Sequence, residues 1–262
     1  MDGVVDLGGL RVAYRRTGAG PPLLLLHGGM SDSREWRHQL ADLADAFTVV
    51  AWDAPGCGSS DDPPESWRLP EFADCAVALC RALQLDRLHV AGLSFGGGLA
   101  LEVYRRHAGM VRSLSLLSSY AGWKGSLPPE EVETRLTACL SAARHPVDPT
   151  PAEVAVFLGP APSAALVAEL VALGSGTRPA AYRVMGHAFA EADLRELLPR
   201  ITVPTLVVHG DADRRCPLQV GRALHAAIPS AVLVVLPGIG HQCNLEAPAL
   251  VNAALQSFLQ RR

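Results

Sequence analysis

Residues 92–96 read Gly-Leu-Ser-Phe-Gly, between a short apolar run, Leu88 to Ala91, and a helix-like segment, Phe95 to His107. A strand, a sharp turn and a helix, with serine at the tip, is a demanding arrangement. The turn forces the serine backbone into a strained conformation. Glycine is needed on both sides because a Cβ there would collide with the neighbouring strand and helix. The hydroxyl then stands clear of the sheet, above a helix N-terminus that favours developing negative charge.

The rest of the chain supplies strands and helices in a matching rhythm. Val4 to Leu7 and Leu10 to Arg16 flank Gly8-Gly9 and read as a β-hairpin. Pro22 to Leu26 is a continuous aliphatic run, as expected of a strand buried on both faces. It ends in His27-Gly28-Gly29-Met30. Ser31 or Ser33 can cap a helix running to about Asp45, with Trp36, Leu40, Leu43 and Ala44 on one face. Phe47 to Trp52 is the next strand, closed by the turn-rich stretch Asp53 to Ser60. A helix around Phe72 to Leu83, the strand Leu88 to Ala91, the helix Phe95 to His107 and the strand Val111 to Leu117 follow. This alternation implies a parallel sheet with helices on both faces.

From about Tyr120 to Pro199 no strand-like run occurs, only helical patches separated by Pro and Gly. An insertion of about 80 residues is too long for a connecting loop. The domain division is therefore a core of residues 1–119 and 200–262 with an all-helical insertion at 120–199. The rhythm resumes with Val203 to Val208, a helix around Leu218 to Ala227, the strand Ala231 to Leu236 and a last helix through Phe258.

Composition excludes several classes. At 262 residues, 49% hydrophobic and 19% charged, the chain fits one α/β domain with an insertion. A net charge of −3 without basic or acidic runs gives no reason to expect nucleic acid or a membrane surface as partner. The N-terminus lacks a signal-peptide pattern, and Pro21 to Leu26 is too short to span a bilayer. The six cysteines form no C-x-x-C and no zinc-like spacing with His, so six reduced thiols in a cytoplasmic protein are expected.

A serine hydroxyl needs a base, and the base an orienting acid. Both occur beyond strand ends, where sites of open parallel sheets assemble. Asp211 and Asp213 follow Val203 to Val208, and His241 follows Ala231 to Leu236. Here five motifs fall in order: His27-Gly28-Gly29-Met30, Asp53-x-Pro-Gly56-x-Gly58-x-Ser60, Gly92-x-Ser94-x-Gly96-Gly97, Gly210-x-x-Asp213-x-x-x-Pro217 and Gly240-His241. In these the chain resembles the α/β-hydrolase fold superfamily. The resemblance implies a mostly parallel eight-stranded sheet with helices on both faces and a helical cap formed by the insertion. It implies Ser94 as nucleophile, His241 as base and Asp213 as acid; Asp211 is the rival, disfavoured by the family spacing from Gly210 to Pro217. It implies an oxyanion hole from the backbone N–H of Phe95 and of Gly29, with Met30 in reserve.

Other residues take structural readings. His27 is expected to hold its loop rather than touch substrate. His107, His145, His187, His209 and His225 have no metal-like spacing, and no cofactor motif appears; neither metal nor cofactor is expected. Gly96-Gly97-Gly98 lacks the Lys-Ser/Thr of a phosphate loop and suits close helix–sheet packing. Trp123 and Met30 are substrate-pocket candidates. Tyr182, Met185 and Phe189 suit pocket lining or packing, and Cys216 and Cys243 suit packing. Arg178 and Arg183 could meet a substrate carboxylate, but helix arginines usually face solvent. Ala192-Asp193-Leu194 and His241-x-x-Asn244-Leu245-Glu246-x-Pro248 are similar to small capped members, including enol-lactonases and esterases. The expectation is a hydrolase of a small-molecule carboxylic ester or lactone. A diketone C–C hydrolase with the same three residues is the alternative, and a non-catalytic ligand receptor the reading from a different class.

Overall fold

The computed structural model describes residues 2–145 and 147–260; Met1, Pro146, Arg261 and Arg262 lie outside them. One eight-stranded sheet runs in the order β1-β2-β4-β3-β5-β6-β7-β8. β1 (Asp2–Asp6) and β2 (Arg11–Thr17) form the expected antiparallel hairpin. Gly8 and Gly9 have φ of 76° and 96°, and the Leu7 amide donates to the Leu10 carbonyl at 2.9 Å, a turn that suits the twist of the strands. β2 pairs antiparallel with β4 (Thr48–Trp52). β3 (Pro22–Leu26), β5 (Leu88–Leu93), β6 (Val111–Leu117), β7 (Thr205–Gly210) and β8 (Ala231–Leu236) continue the sheet in parallel.

The aliphatic runs follow from this topology. Helices cover both faces, so the central strands have no solvent-facing side. One apolar cluster joins the sheet to α2 (Leu69–Ala82) and α3 (Phe95–His107), through residues such as Phe72, Leu79 and Leu99. The other joins the opposite face to α1 (Arg37–Asp42) and α10 (Pro248–Leu259), through Leu40, Val251 and Leu255. Strand order reverses between β3 and β5. Loops leaving these two neighbours diverge, and a crevice opens at their C-terminal ends. Gly28-Gly29 and Ser94 stand on either side of it.

The first helix departs from the sequence expectation. Asp32 supplies the cap, its Oδ1 accepting from the Arg34 amide at 2.9 Å, because Asp53 Oδ1 already holds the Ser33 amide at 2.8 Å. A 3-10 turn over Ser33–Trp36 precedes α1, which ends at Asp42 rather than near Asp45.

Among the described residues, the chain between β6 and β7 contains only helices: α4 (Pro129–Arg144), α5 (Pro151–Ala155), α6 (Ala164–Gly174), α7 (Pro179–Glu191) and a short 3-10 turn. Three of the four begin with Pro in the first turn, where the missing N–H costs nothing, so proline starts these helices rather than breaking them. α7 buries Ala181, Val184, Met185 and Phe189 in the same cluster as α2 and α3. α5 and α6 instead close a small cluster of their own with Leu158 and Leu245. After β7 come α8 (Leu218–Ala227) and, past β8, the short α9 (Cys243–Glu246).

The glycines around Ser94 have the predicted reason. A Cβ on Gly92 would collide with the carbonyl of Gly96, and one on Gly96 with the carbonyls of Leu26 and His27. These obstacles are backbone and cannot turn aside. Gly96→Ala is therefore expected to lose about 3 kcal/mol, the upper range for overpacking, in urea unfolding. A loss within ~0.5 kcal/mol, usual for an unconstrained surface change, would show that α3 has room to shift.

Candidate active site

Ser94 sits alone between β5 and α3 at φ 53° and ψ −111°. A residue with a side chain occupies such a conformation at a cost on the order of 1–3 kcal/mol, and only where its surroundings over-determine it. Here they do. The Ser94 amide donates to the Leu117 carbonyl at 2.9 Å, and its carbonyl accepts from Gly97 and Gly98 at 3.0 and 3.2 Å.

The loops after β7 and β8 bring a carboxylate and an imidazole together. His241 Nδ1 lies 2.8 Å from Asp213 Oδ2, and both residues are buried. An ionised carboxylate only accepts, so Nδ1 carries the proton and Nε2 is the basic nitrogen. Asp213 Oδ1 accepts from the amides of Arg215 at 2.8 Å and Cys216 at 2.7 Å. Burial pushes the Asp213 carboxyl upward, but His241 and the Cys216 amide outweigh it and hold the pKa below the ordinary value. Asp211, the rival, is exposed and accepts from the Gly238 amide at 2.6 Å, closing the turn after β8 instead.

His209, read from sequence as solvated or core, is core and stands behind this pair. Its Nε2 donates to the Cys216 carbonyl at 2.7 Å and lies 3.6 Å from Asp213 Oδ2; burial lowers its pKa and keeps it neutral. His209, Asp213 and Cys216 have candidate ligand atoms within 4.8 Å of one another. Those of His209 and Asp213 are already committed to the bonds above, so the group reads as a brace for the carboxylate. The six free cysteines are all buried, Cys216 and Cys243 included.

Ser94 and His241 line one chamber of about 60 Å³, with Gly29, Met30, Phe95 and Trp123 among its walls. A Cβ placed on Gly29 would lie 3.6 Å from that of Phe95, so the two proposed oxyanion donors belong to facing segments. His27 holds its loop as expected. The Ala54 amide donates to Nε2 at 2.9 Å, so Nδ1 carries the proton and donates to the Gly28 carbonyl at 2.7 Å. The Phe95 side chain packs beneath the chamber, edge-on to Phe72 at 5.7 Å and to Phe189 at 5.3 Å. Met185 and Phe189 reach the chamber while also packing into the core.

A second cavity of about 840 Å³ lies among α4, α5, α6 and the loop after β3, and Tyr182 lines it. It shares Gly29, Met30, Phe157, Arg215 and Gln242 with the small chamber, so the two adjoin. Arg178 and Arg183 face neither; they pair with Asp62 and Glu65. Phe157, Gln242 and Arg215 were not singled out in the sequence. Arg215 alone carried a signal, its place two residues beyond Asp213.

A mostly parallel eight-stranded sheet, a strained serine at the end of β5 and a buried carboxylate–imidazole pair after β7 and β8 together define the class of α/β hydrolases. The chain belongs to the alpha/beta hydrolase family, whose model matches residues 23–254. It is 31% identical to a 2-hydroxymuconate semialdehyde hydrolase of Pseudomonas sp. (strain CF600), over 96% of this chain and 91% of that protein. It is 29% identical to a putative non-heme chloroperoxidase of Synechocystis sp., over 95% of both. Among solved structures, a thermophilic esterase from Thermogutta terrifontis (malate bound) superposes with a TM-score of 0.90 at 26% identity, covering 100% of this chain and 98% of that one. No helix among the described residues is long and apolar enough to cross a membrane.

The loop carrying Gly29 rests on a buried acid. Glu35 is fully buried, and its Oε1 accepts from the Gly28 amide at 3.2 Å. Burial raises its pKa to about 8, against the pull of that amide, so it is protonated at neutral pH. The unfolded chain releases this proton near pH ~4.3. Between there and about pH 8 the folded state binds the extra proton, so its contribution to stability is full below the unfolded value and declines as pH rises. Urea unfolding from pH 5 to 8 should show the wild type losing up to about 1.4 kcal/mol per pH unit relative to Glu35→Gln. Parallel curves for the two proteins would mean that Glu35 ionises normally.

Proposed function

We propose that the protein is a serine hydrolase of a small-molecule carboxylic ester or lactone, working through an acyl-enzyme on Ser94. The observation that carries the reading is the strained Ser94 in one small chamber with His241, whose Nδ1 is fixed by Asp213. The Ser94 hydroxyl attacks the acyl carbon as His241 Nε2 takes its proton. Asp213 holds the imidazole in the productive tautomer and stabilises its positive charge. The backbone N–H groups of Phe95 and Gly29 receive the oxyanion. Such donors are worth roughly 3 kcal/mol each. His241 then protonates the departing alcohol, and a water molecule, deprotonated by the same nitrogen, releases the acid.

Met30 and Trp123 bound the space beside the reacting carbon, and the 840 Å³ cavity accommodates the rest of the substrate. Residues 120–199 act as a cap over a core of 1–119 and 200–262. The six buried, unpaired thiols suit a reducing cytoplasm. A second reading, cleavage of a C–C bond in a diketone by the same three residues, draws on the relative named 2-hydroxymuconate semialdehyde hydrolase.

Turnover of p-nitrophenyl acetate tests the proposal. Wild type is expected to show burst and turnover, and Ser94→Ala to lose on the order of a million-fold in kcat. Asp213→Asn should fall by about ten-thousand-fold, whereas Asp211→Asn should stay close to wild type. Turnover that survives in Ser94→Ala would sink the acyl-enzyme reading.

A further inference from the structure

Arg215 is placed with unusual care for a residue in a turn. Its amide donates to Asp213 Oδ1 at 2.8 Å. Its carbonyl accepts from the Tyr120 hydroxyl and from Arg135 Nη2, the latter at 2.7 Å, and Arg135 Nη1 in turn donates to the Tyr120 hydroxyl at 2.9 Å. The backbone is thus fixed on both sides of the Arg215 Cα. The guanidinium carbon stands 5.5 Å from the Trp123 ring centroid and 5.7 Å from that of Phe157, two residues of the inserted segment. Aromatic faces hold a guanidinium plane while leaving its edge N–H groups available.

Among the described residues that edge has no hydrogen-bond or ion-pair partner. Among the described residues no carboxylate lies within ion-pair distance of Arg215, whereas its neighbour Arg135 pairs with Glu131 at 2.8 Å. Burial, followed by the like charge of Arg135, pulls its pKa below the ordinary arginine value, as expected of a cation short of counter-charge. Of the carboxylates lining the larger cavity, Glu153 caps its own helix through Thr150, and Asp148 is exposed. Arg215 nevertheless lines both the Ser94–His241 chamber and the adjoining cavity. A half-buried charge held rigid at the junction of two cavities, with its donors unused, suits an anion that arrives with the substrate.

We propose that Arg215 is a specificity residue that receives a carboxylate of the substrate, so that the protein favours esters or lactones of short dicarboxylic acids over neutral acyl compounds of equal length. The two N–H groups of a guanidinium edge match the two oxygens of a carboxylate, which fixes the acyl chain as well as attracting it. Its activity arm rests on the serine-hydrolase reading; the carboxylate site itself does not.

Two measurements separate these claims. In a pH-stat, monomethyl succinate, glutarate and adipate are compared with methyl butyrate, pentanoate and hexanoate. At least one anionic ester should exceed its neutral counterpart in kcat/KM. That ratio should fall roughly ten- to hundredfold in Arg215→Gln and recover in part in Arg215→Lys, which keeps the charge but loses the fork. A wild type that hydrolyses these esters without preferring any anionic one, or a ratio unmoved in Arg215→Gln, overturns the proposal. The second measurement is calorimetric titration of glutarate into Ser94→Ala protein, with and without Arg215→Gln, melting curves confirming that each variant is folded. Binding at least tenfold weaker without the guanidinium supports the carboxylate site even if no ester is hydrolysed, which would count against the hydrolase reading alone. Equal binding, or none to either protein, overturns the site.

Discussion

The structure depends on how closely the first turn of α3 approaches its surroundings. A Cβ on Gly96 would meet the end of β3, one on Gly97 would meet Ser119 beyond β6, and one on Gly98 would meet Phe189 of α7. Three consecutive glycines thus set the spacing of this helix in three directions. Each weakens the helix by roughly 0.5–1 kcal/mol relative to alanine. The buried run from Leu99 to Tyr104 offsets this, since burying one leucine side chain is worth on the order of 1.5–3 kcal/mol. The strain at Ser94 is sustained in the same way, by a helix that cannot move away.

Around that turn, buried titratable groups have been made neutral or given partners. Glu35 is held protonated by burial, and His27 and His209 are held uncharged by the same cause. Asp213 keeps its charge because two amides and an imidazole surround it. In such an interior a new charge is felt strongly, since little water or mobile charge is available to screen it. In this setting the oxyanion donors proposed at Phe95 and Gly29 would act as fixed backbone dipoles with little screening.

The sheet was legible because burial on both faces leaves a continuous aliphatic run, and Pro22 to Leu26 has no other use. The strained turn at Ser94 and the pairing of Asp213 with His241 were legible as candidates because strand ends fix such residues at characteristic spacings. The helices between β6 and β7 were visible as patches, since each has a local period and a proline or serine start. What sequence did not disclose depends on distant partners. Asp32 caps the first helix because Asp53 occupies the Ser33 amide. Arg178 and Arg183 had a conceivable role at the substrate until Asp62 and Glu65, more than a hundred residues away in the chain, paired with them. Arg215 looks like any turn arginine until Tyr120, Trp123, Arg135 and Phe157 are placed around it.

Those last four residues all lie between β6 and β7, and this bears on what that segment does. It also holds His241. The amides of His241 and Gln242 donate to the Phe157 carbonyl at 2.8 and 3.1 Å, and the Gly159 amide donates to Glu246 Oε2 at 2.7 Å. The Phe157 ring lies 5.9 Å from the His241 ring. An insertion laid over a finished site would touch substrate and little else, and changes in it would act on binding alone. Here the loop between α5 and α6 fixes the backbone of His241, and the segment from Tyr120 to Arg135 fixes Arg215, two residues beyond Asp213. A change at Phe157 or Gly159 therefore reaches the position of His241 Nε2, and under the proposed mechanism a displacement of about 1 Å there would be enough to lower the rate a hundredfold. The sheet and its loops bring Ser94, Asp213 and His241 near one another, and the segment between β6 and β7 sets the final geometry of two of the loops.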